Sequence, residues 1–160
     1  NAGTKLTFAG AEANPSRPFF FIIKGSANNA TGTLTLKVDL QGCPKSFGGN
    51  DSSGAKSITV QTVTRGTVYD IEMQAVMNSI SGGNAVADAI LKVWVNGTLK
   101  VNESTLAYRG NTGSPDFSLT GPTAKFNQVN QSPTWGGTQL ACPQNQSIYL
   151  GDYYASTSAS

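Results

Sequence analysis

The segment AILKVWVNGTLKV, residues 89–101, decides how the chain is read. Apolar residues take every second position up to Val95, Asn96-Gly97 interrupts, and a second short run follows. A period of two marks a strand with one buried face. Asn-Gly between two such runs is a strong hairpin signal, because both central residues of a type I′ turn need positive φ. The segment therefore predicts a β-hairpin. In its first strand Leu91, Val93 and Val95 share one face, while Ile90, Lys92, Trp94 and Asn96 share the other. Two readings of Trp94 stay open. Either the aliphatics are buried and Lys92 and Trp94 lie on the far face, or Trp94 packs under a loop as core.

The same grammar extends along the chain. TLTLKVDL (33–40) alternates, with Leu34, Leu36, Val38 and Leu40 on one side. VYDIEMQAVM (68–77) sets Tyr69, Ile71, Met73, Ala75 and Met77 against Asp70, Glu72 and Gln74. FFFIIKG reads as a strand buried on both faces, following a breaker at ANPSRP. KLTFAG, SITVQTV and QSIYLGDYYAST read as further strands, and STLAYRG as an edge strand. NSISGGNAVAD reads as a loop, and residues 110–134 carry little pattern. Helix signals are almost absent. Eight or nine short strands at regular spacing, with no repeat or linker, predict one all-β domain over 1–160, an antiparallel β-sandwich or jelly roll.

Composition narrows the function. Of the 160 residues 12% are charged and the net charge is +2, too weak a bias to argue for nucleic acid. The apolar run at 19–23 is far too short to span a membrane, so no insertion is expected. The opening NAGTKL carries no secretion signal and reads as already processed or cut from something longer. There is no histidine, which removes any imidazole base, Ser-His dyad or His-ligated metal. Cys43 and Cys142 are either a disulfide, suited to an oxidising compartment, or two free thiols. Asn-X-Ser/Thr acceptors occur at Asn29, Asn50, Asn96, Asn102, Asn130 and Asn145, which permits glycosylation.

Several side chains could carry recognition or chemistry. An outward Trp94 beside Lys92 suits stacking against a sugar ring, but Trp135 in PTWGGT, beside two glycines, is the better candidate for a partly exposed aromatic. Asp70 and Glu72 fall on one strand face, but a spacing of two does not straddle a sugar from both sides, so a solvated sheet face is the simpler account. Asp152, with Asn84 and Asp88, offers oxygen ligands for calcium without a recognised loop spacing; no other cofactor is implied.

The order GTKLTFAG, RGTVYDIEMQAVMN, DAILKVWVNGTL, LAYRG, TWGG and YLGDYYAST resembles concanavalin A-like jelly-roll domains of the polysaccharide-lyase type, as in alginate and glucuronan lyases. The likeness covers nearly the whole chain, with LKVWVNG and TWGG its most specific pieces. There are departures. Val68-Tyr69 stands where the pattern has Trp, Asp88-Ala89 replaces Asp-Gly, and Gly151-Asp152 replaces a paired Asp. The strand that usually precedes Lys-Leu is missing, which implies a first strand that is lacking or borrowed, and an open edge able to meet a neighbouring subunit. The resemblance implies that a lyase would act on uronate polymers by β-elimination. Without histidine, its proton transfers and charge neutralisation would fall to Lys24, Tyr108, Arg109, Tyr149 and Tyr153. Arg109, matching the family's strand-end arginine, is also a glycan-binding candidate, or else a surface salt-bridging residue.

Three functions are therefore expected in turn. The first is a non-catalytic glycan-binding or adhesion module on an extracellular or virion surface. The second is a uronate lyase. The third is a structural virion decoration or fibre component. Fold class cannot rank them.

Overall fold

The computed structural model describes residues 5–10, 16–25, 34–40, 56–64, 66–111, 119–132, 151, 154 and 156. These residues form strands and turns, with no helix among them. One sheet of five strands contains β1 (Lys5–Gly10), β2 (Ser16–Gly25), β3 (Leu34–Leu40), β4 (Lys56–Val63) and β12 (Phe126–Ser132), in the order β12-β1-β2-β3-β4. A second sheet orders β5 (Ile71–Val76), β8 (Ala89–Val95) and β9 (Thr98–Leu106) as β5-β8-β9. Both sheets are antiparallel throughout. Two short ladders complete the set: β6 (Ile80–Ser81) with β7 (Asn84–Ala85), and a parallel contact between β10 (Arg109–Gly110) and β11 (Leu119–Thr120).

The alternation read from the sequence is realised in β8. Ala89, Leu91, Val93 and Val95 are buried while Ile90, Lys92 and Trp94 are half-buried on the opposite face. Leu36, Val38 and Leu40 of β3 and Val60 and Val63 of β4 join them, with Val101, Leu106 and Tyr108, in one buried cluster. The core thus draws on both sheets, an arrangement consistent with a β-sandwich. Met73, Ala75 and Met77 pack against it from β5 and its end, as their spacing predicted. Ile71, assigned to the same face, is 43% exposed because it opens the strand at the sheet's end.

Four elements differ from the sequence expectation. Residues 78–88, expected as a loop, contain the β6–β7 hairpin, turned by Gly82 and Gly83 at φ of 56° and 78°; Gly-Gly supplies the positive φ a two-residue turn demands. The breaker ANPSRP does not end before β2, which already begins at Ser16. Between Phe8↔Phe19 and Gly10↔Ser16 the β1–β2 register shifts by one residue, and Pro18 falls in that bulge, where a missing N–H costs no ladder bond. STL is not a separate edge strand but the end of β9, which is itself at the edge of its sheet. FNQVNQS, unmarked by pattern, forms β12 at the edge of the large sheet, where a polar strand is tolerated. β12 also pairs along β1, so the open edge expected at β1 is closed; the outermost described strands are β12, β4, β5 and β9.

Candidate functional site

The Asn96-Gly97 turn sets the geometry of the second sheet. Asn96 and Gly97 take φ of 49° and 72°, the pair of positive values the turn type needs. The side chain of Asn96 adds a tie: the Asp70 N–H donates to its Oδ1 at 2.9 Å, and the Asn96 N–H donates to the Asp70 carbonyl at 2.9 Å. The hairpin tip is thereby fastened to the entry of β5.

Beyond the turn, Trp94 faces Leu99, but Lys92 faces Asn102 and Val93 faces Val101, so Lys100 is an extra, bulged residue. An unbroken register from the turn would pair Lys92 with Val101. Val101 would then point outward while Lys100 and Asn102 turned toward the core. A single bulge reverses this, because a one-residue slip exchanges the faces of a strand. Val101 is accordingly buried and Asn102 exposed.

On the other side of β8, Glu72 faces Trp94, Gln74 faces Lys92 and Val76 faces Ile90. Two rows cross the outer face of the sheet: Glu72–Trp94–Leu99, and Gln74–Lys92–Asn102. Directly opposite side chains start about 5 Å apart. The rows lie about 7 Å from one another along the strands, and three strands span about 10 Å. Trp94, Lys92 and Gln74 are half-buried, while Glu72, Leu99 and Asn102 are exposed. The result is an indole flanked by a carboxylate and an aliphatic chain, next to an ammonium flanked by two amides. An apolar ring with hydrogen-bonding neighbours of both polarities is the chemistry that holds a saccharide ring. Trp94 belongs to this face and is not part of the buried core.

Sequence reasoning found Trp94, Lys92 and the Glu72–Gln74 stripe separately. It missed Asn102 as a partner of Lys92, because the bulge at Lys100 sets that pairing; the readable signal was that Val101, not Lys100, needs burial.

Other candidates are placed elsewhere. Tyr108 is fully buried, and its hydroxyl donates to the Ile90 carbonyl at 3.2 Å; its ring lies 5.6 Å from that of Phe126. A hydroxyl so enclosed does not suit the proton transfer assigned to it. Arg109 is half-buried and donates from Nε to the Asn78 carbonyl (2.9 Å) and from Nη1 to those of Pro122 (2.6 Å) and Ala124 (3.0 Å). It staples the chain segment around β11 to β10 through backbone carbonyls. Lys24 lies in β2 opposite Thr35, its side chain outside the described residues. Trp135, Tyr149, Tyr153, Asp152, Cys43, Cys142, Asn29, Asn50 and Asn145 also lie outside them. Asn130 sits in β12 opposite Thr7.

Asp88 and Asn84, considered for calcium, are both bonded locally. Asn84 Nδ2 donates to the Gly82 carbonyl at 3.3 Å. Ser79 donates from Oγ (2.6 Å) and N (2.7 Å) to the two carboxylate oxygens of Asp88. Among the described residues no three acidic or cysteine side chains gather as a metal site. The Ser79 bonds, side chain first and then backbone, hold the Asp88 carboxyl below its usual range, with the Arg109 charge a lesser cause. A depressed carboxyl stabilises the fold above its unfolded value, about pH 4, and loses that contribution as pH falls through the lower folded value. Asp88→Asn is therefore expected to flatten the decline of the urea midpoint as pH falls below about 4. An unchanged acid limb would show that Asp88 does not close this segment.

No family model matches the chain, and neither a curated protein nor a solved structure is significantly similar to it.

Proposed function

We propose that the protein is a non-catalytic glycan-binding module that takes its ligand on the outer face of the β5-β8-β9 sheet. The observation that carries this reading is the pair of rows Glu72–Trp94–Leu99 and Gln74–Lys92–Asn102 on the face turned away from the core. A pyranose ring stacks its C–H face on Trp94. Its hydroxyls donate to Glu72 and accept from Lys92 and the amides of Gln74 and Asn102. The module works on an extracellular or virion surface, a setting suited to its Asn-X-Ser/Thr acceptors and its two cysteines. Its fold is a jelly roll of the concanavalin A-like kind. In support, β12 returns beside β1 after the chain has traversed the second sheet, a Greek-key return, although β1-β2-β3-β4 is a plain meander.

The experiment is a glycan array followed by titration calorimetry on the best hit, with Trp94→Ala and Gln74→Ala variants. Trp94→Ala is expected to weaken binding by at least roughly tenfold, about 1.4 kcal/mol. Gln74→Ala is expected to weaken it less, since one neutral hydrogen bond contributes about 1 kcal/mol. Binding that survives Trp94→Ala unchanged would move the site off this face. A protein that binds no array glycan leaves the third expectation, a structural component of a larger assembly, as the better account.

A further inference from the structure

The bulge at Lys100 does more than bury Val101. It turns Asn102 outward, directly across from Lys92. Asn102 begins the tripeptide Asn102-Glu103-Ser104, an acceptor for N-linked sugar. It is exposed, and diagonal neighbours on one sheet face lie about 7–8 Å apart, so a sugar on its amide nitrogen starts within one ring's length of Trp94. Leu99, opposite Trp94 and 44% exposed, extends the apolar surface such a ring would cover. Asn96, the other acceptor in this hairpin, differs: its Oδ1 accepts from Asp70 and it sits at the turn, beyond the last row.

We propose that Asn102 is a glycosylation site whose attached sugar lies on the Trp94–Lys92 face, so that the covalent glycan and a free glycan compete for one platform. The proposal rests on the reading of this face as a saccharide platform and adds its regulation. The step is a glycosyl transfer. Asn102 Nδ2 attacks C1 of a sugar carried on a lipid pyrophosphate, an N–C bond forms, the C–O bond to the pyrophosphate breaks, and the amide loses one proton. Tethering gives the attached sugar a millimolar effective concentration at the platform, enough to hold off a weak free ligand.

The test uses the full chain made in a secretory eukaryotic host, in a Trp135→Phe background so that Trp94 alone fluoresces. Ser104→Ala removes the Asn102 acceptor; Thr98→Ala removes that of Asn96 and serves as control. Peptide mass spectrometry reads occupancy at Asn102, and acrylamide quenching reads access to Trp94. Occupied protein is expected to be quenched at least about twofold less than Ser104→Ala, and to bind the best array glycan correspondingly more weakly. Thr98→Ala should match the occupied protein. An unmodified Asn102, or equal quenching with and without its sugar, overturns the proposal. Failure of the binding reading looks different: Ser104→Ala would bind no array glycan while the quenching difference persisted.

Discussion

Asn78→Ala is expected to destabilise the protein by about 3–5 kcal/mol, because buried groups left unpaired cost about 1–3 kcal/mol each. Asn78 is the one buried polar side chain among the described residues, with no solvent exposure. Its Oδ1 accepts from the Tyr108 N–H (2.8 Å) and the Arg109 N–H (2.9 Å). Its Nδ2 donates to the carbonyls of Ser79 (3.0 Å) and Arg109 (2.9 Å). One amide thus joins the end of β5 to the β9–β10 junction across 30 residues of chain. Arg109 Nε answers by donating to the Asn78 carbonyl. Alanine removes all four side-chain bonds and leaves two backbone donors facing a void. Urea denaturation reads the loss; since domains are stable by about 5–15 kcal/mol, partial unfolding at room temperature is within reach. Asn84→Ala, whose amide bond is local and exposed, should stay within about 0.5 kcal/mol of the parent. A cost for Asn78→Ala below about 1 kcal/mol would mean that the junction is held by something other than this amide.

Leu91→Ala should cost about 2–5 kcal/mol, the range for emptying a leucine site in a closed core. Leu91 is wholly buried at the middle of β8, the central strand of its sheet. Its cluster includes side chains from the facing sheet, so little can collapse into the gap. The informative comparison is Trp94→Ala, three residues on. It removes more atoms, yet it should cost less stability than Leu91→Ala, because the indole lies on the other face and is only half-buried. Equal or reversed costs would place Trp94 in the core and dismantle the platform. On the proposed function the same pair separates folding from recognition: Leu91→Ala lowers the urea midpoint with binding kept where the protein is folded, whereas Trp94→Ala weakens binding at the smaller cost in stability.

Much of the sheet architecture was present in side-chain order alone. The alternation of Leu91, Val93 and Val95 gave β8 its buried face, since a pleated strand sends successive side chains to opposite sides. Asn96-Gly97 gave the turn, since few residue pairs accept two positive φ values in succession. The alternation rule also marked β3 and β5. They failed for β12, whose FNQVNQS has no alternation to read and exists as a strand because β1 offers it a ladder. They failed at Pro18, where a bulge accepts a residue that a regular strand refuses.

The candidate site divides along the same line. The sequence by itself determined that Lys92 and Trp94 share a face opposite three aliphatics, and that no histidine serves the chain. Only the tertiary structure decided which residues flank them. Gln74 and Glu72 arrive from a strand some twenty residues earlier, in a register fixed partly by the Asn96–Asp70 bonds. Asn102 arrives because burying Val101 outweighs an unbroken ladder. It also placed Tyr108 in the core and gave Arg109 a set of backbone carbonyls to bond. The physical reason is one of range. Period and turn chemistry act between residues close in sequence, whereas register and burial follow from the whole core competing for apolar side chains.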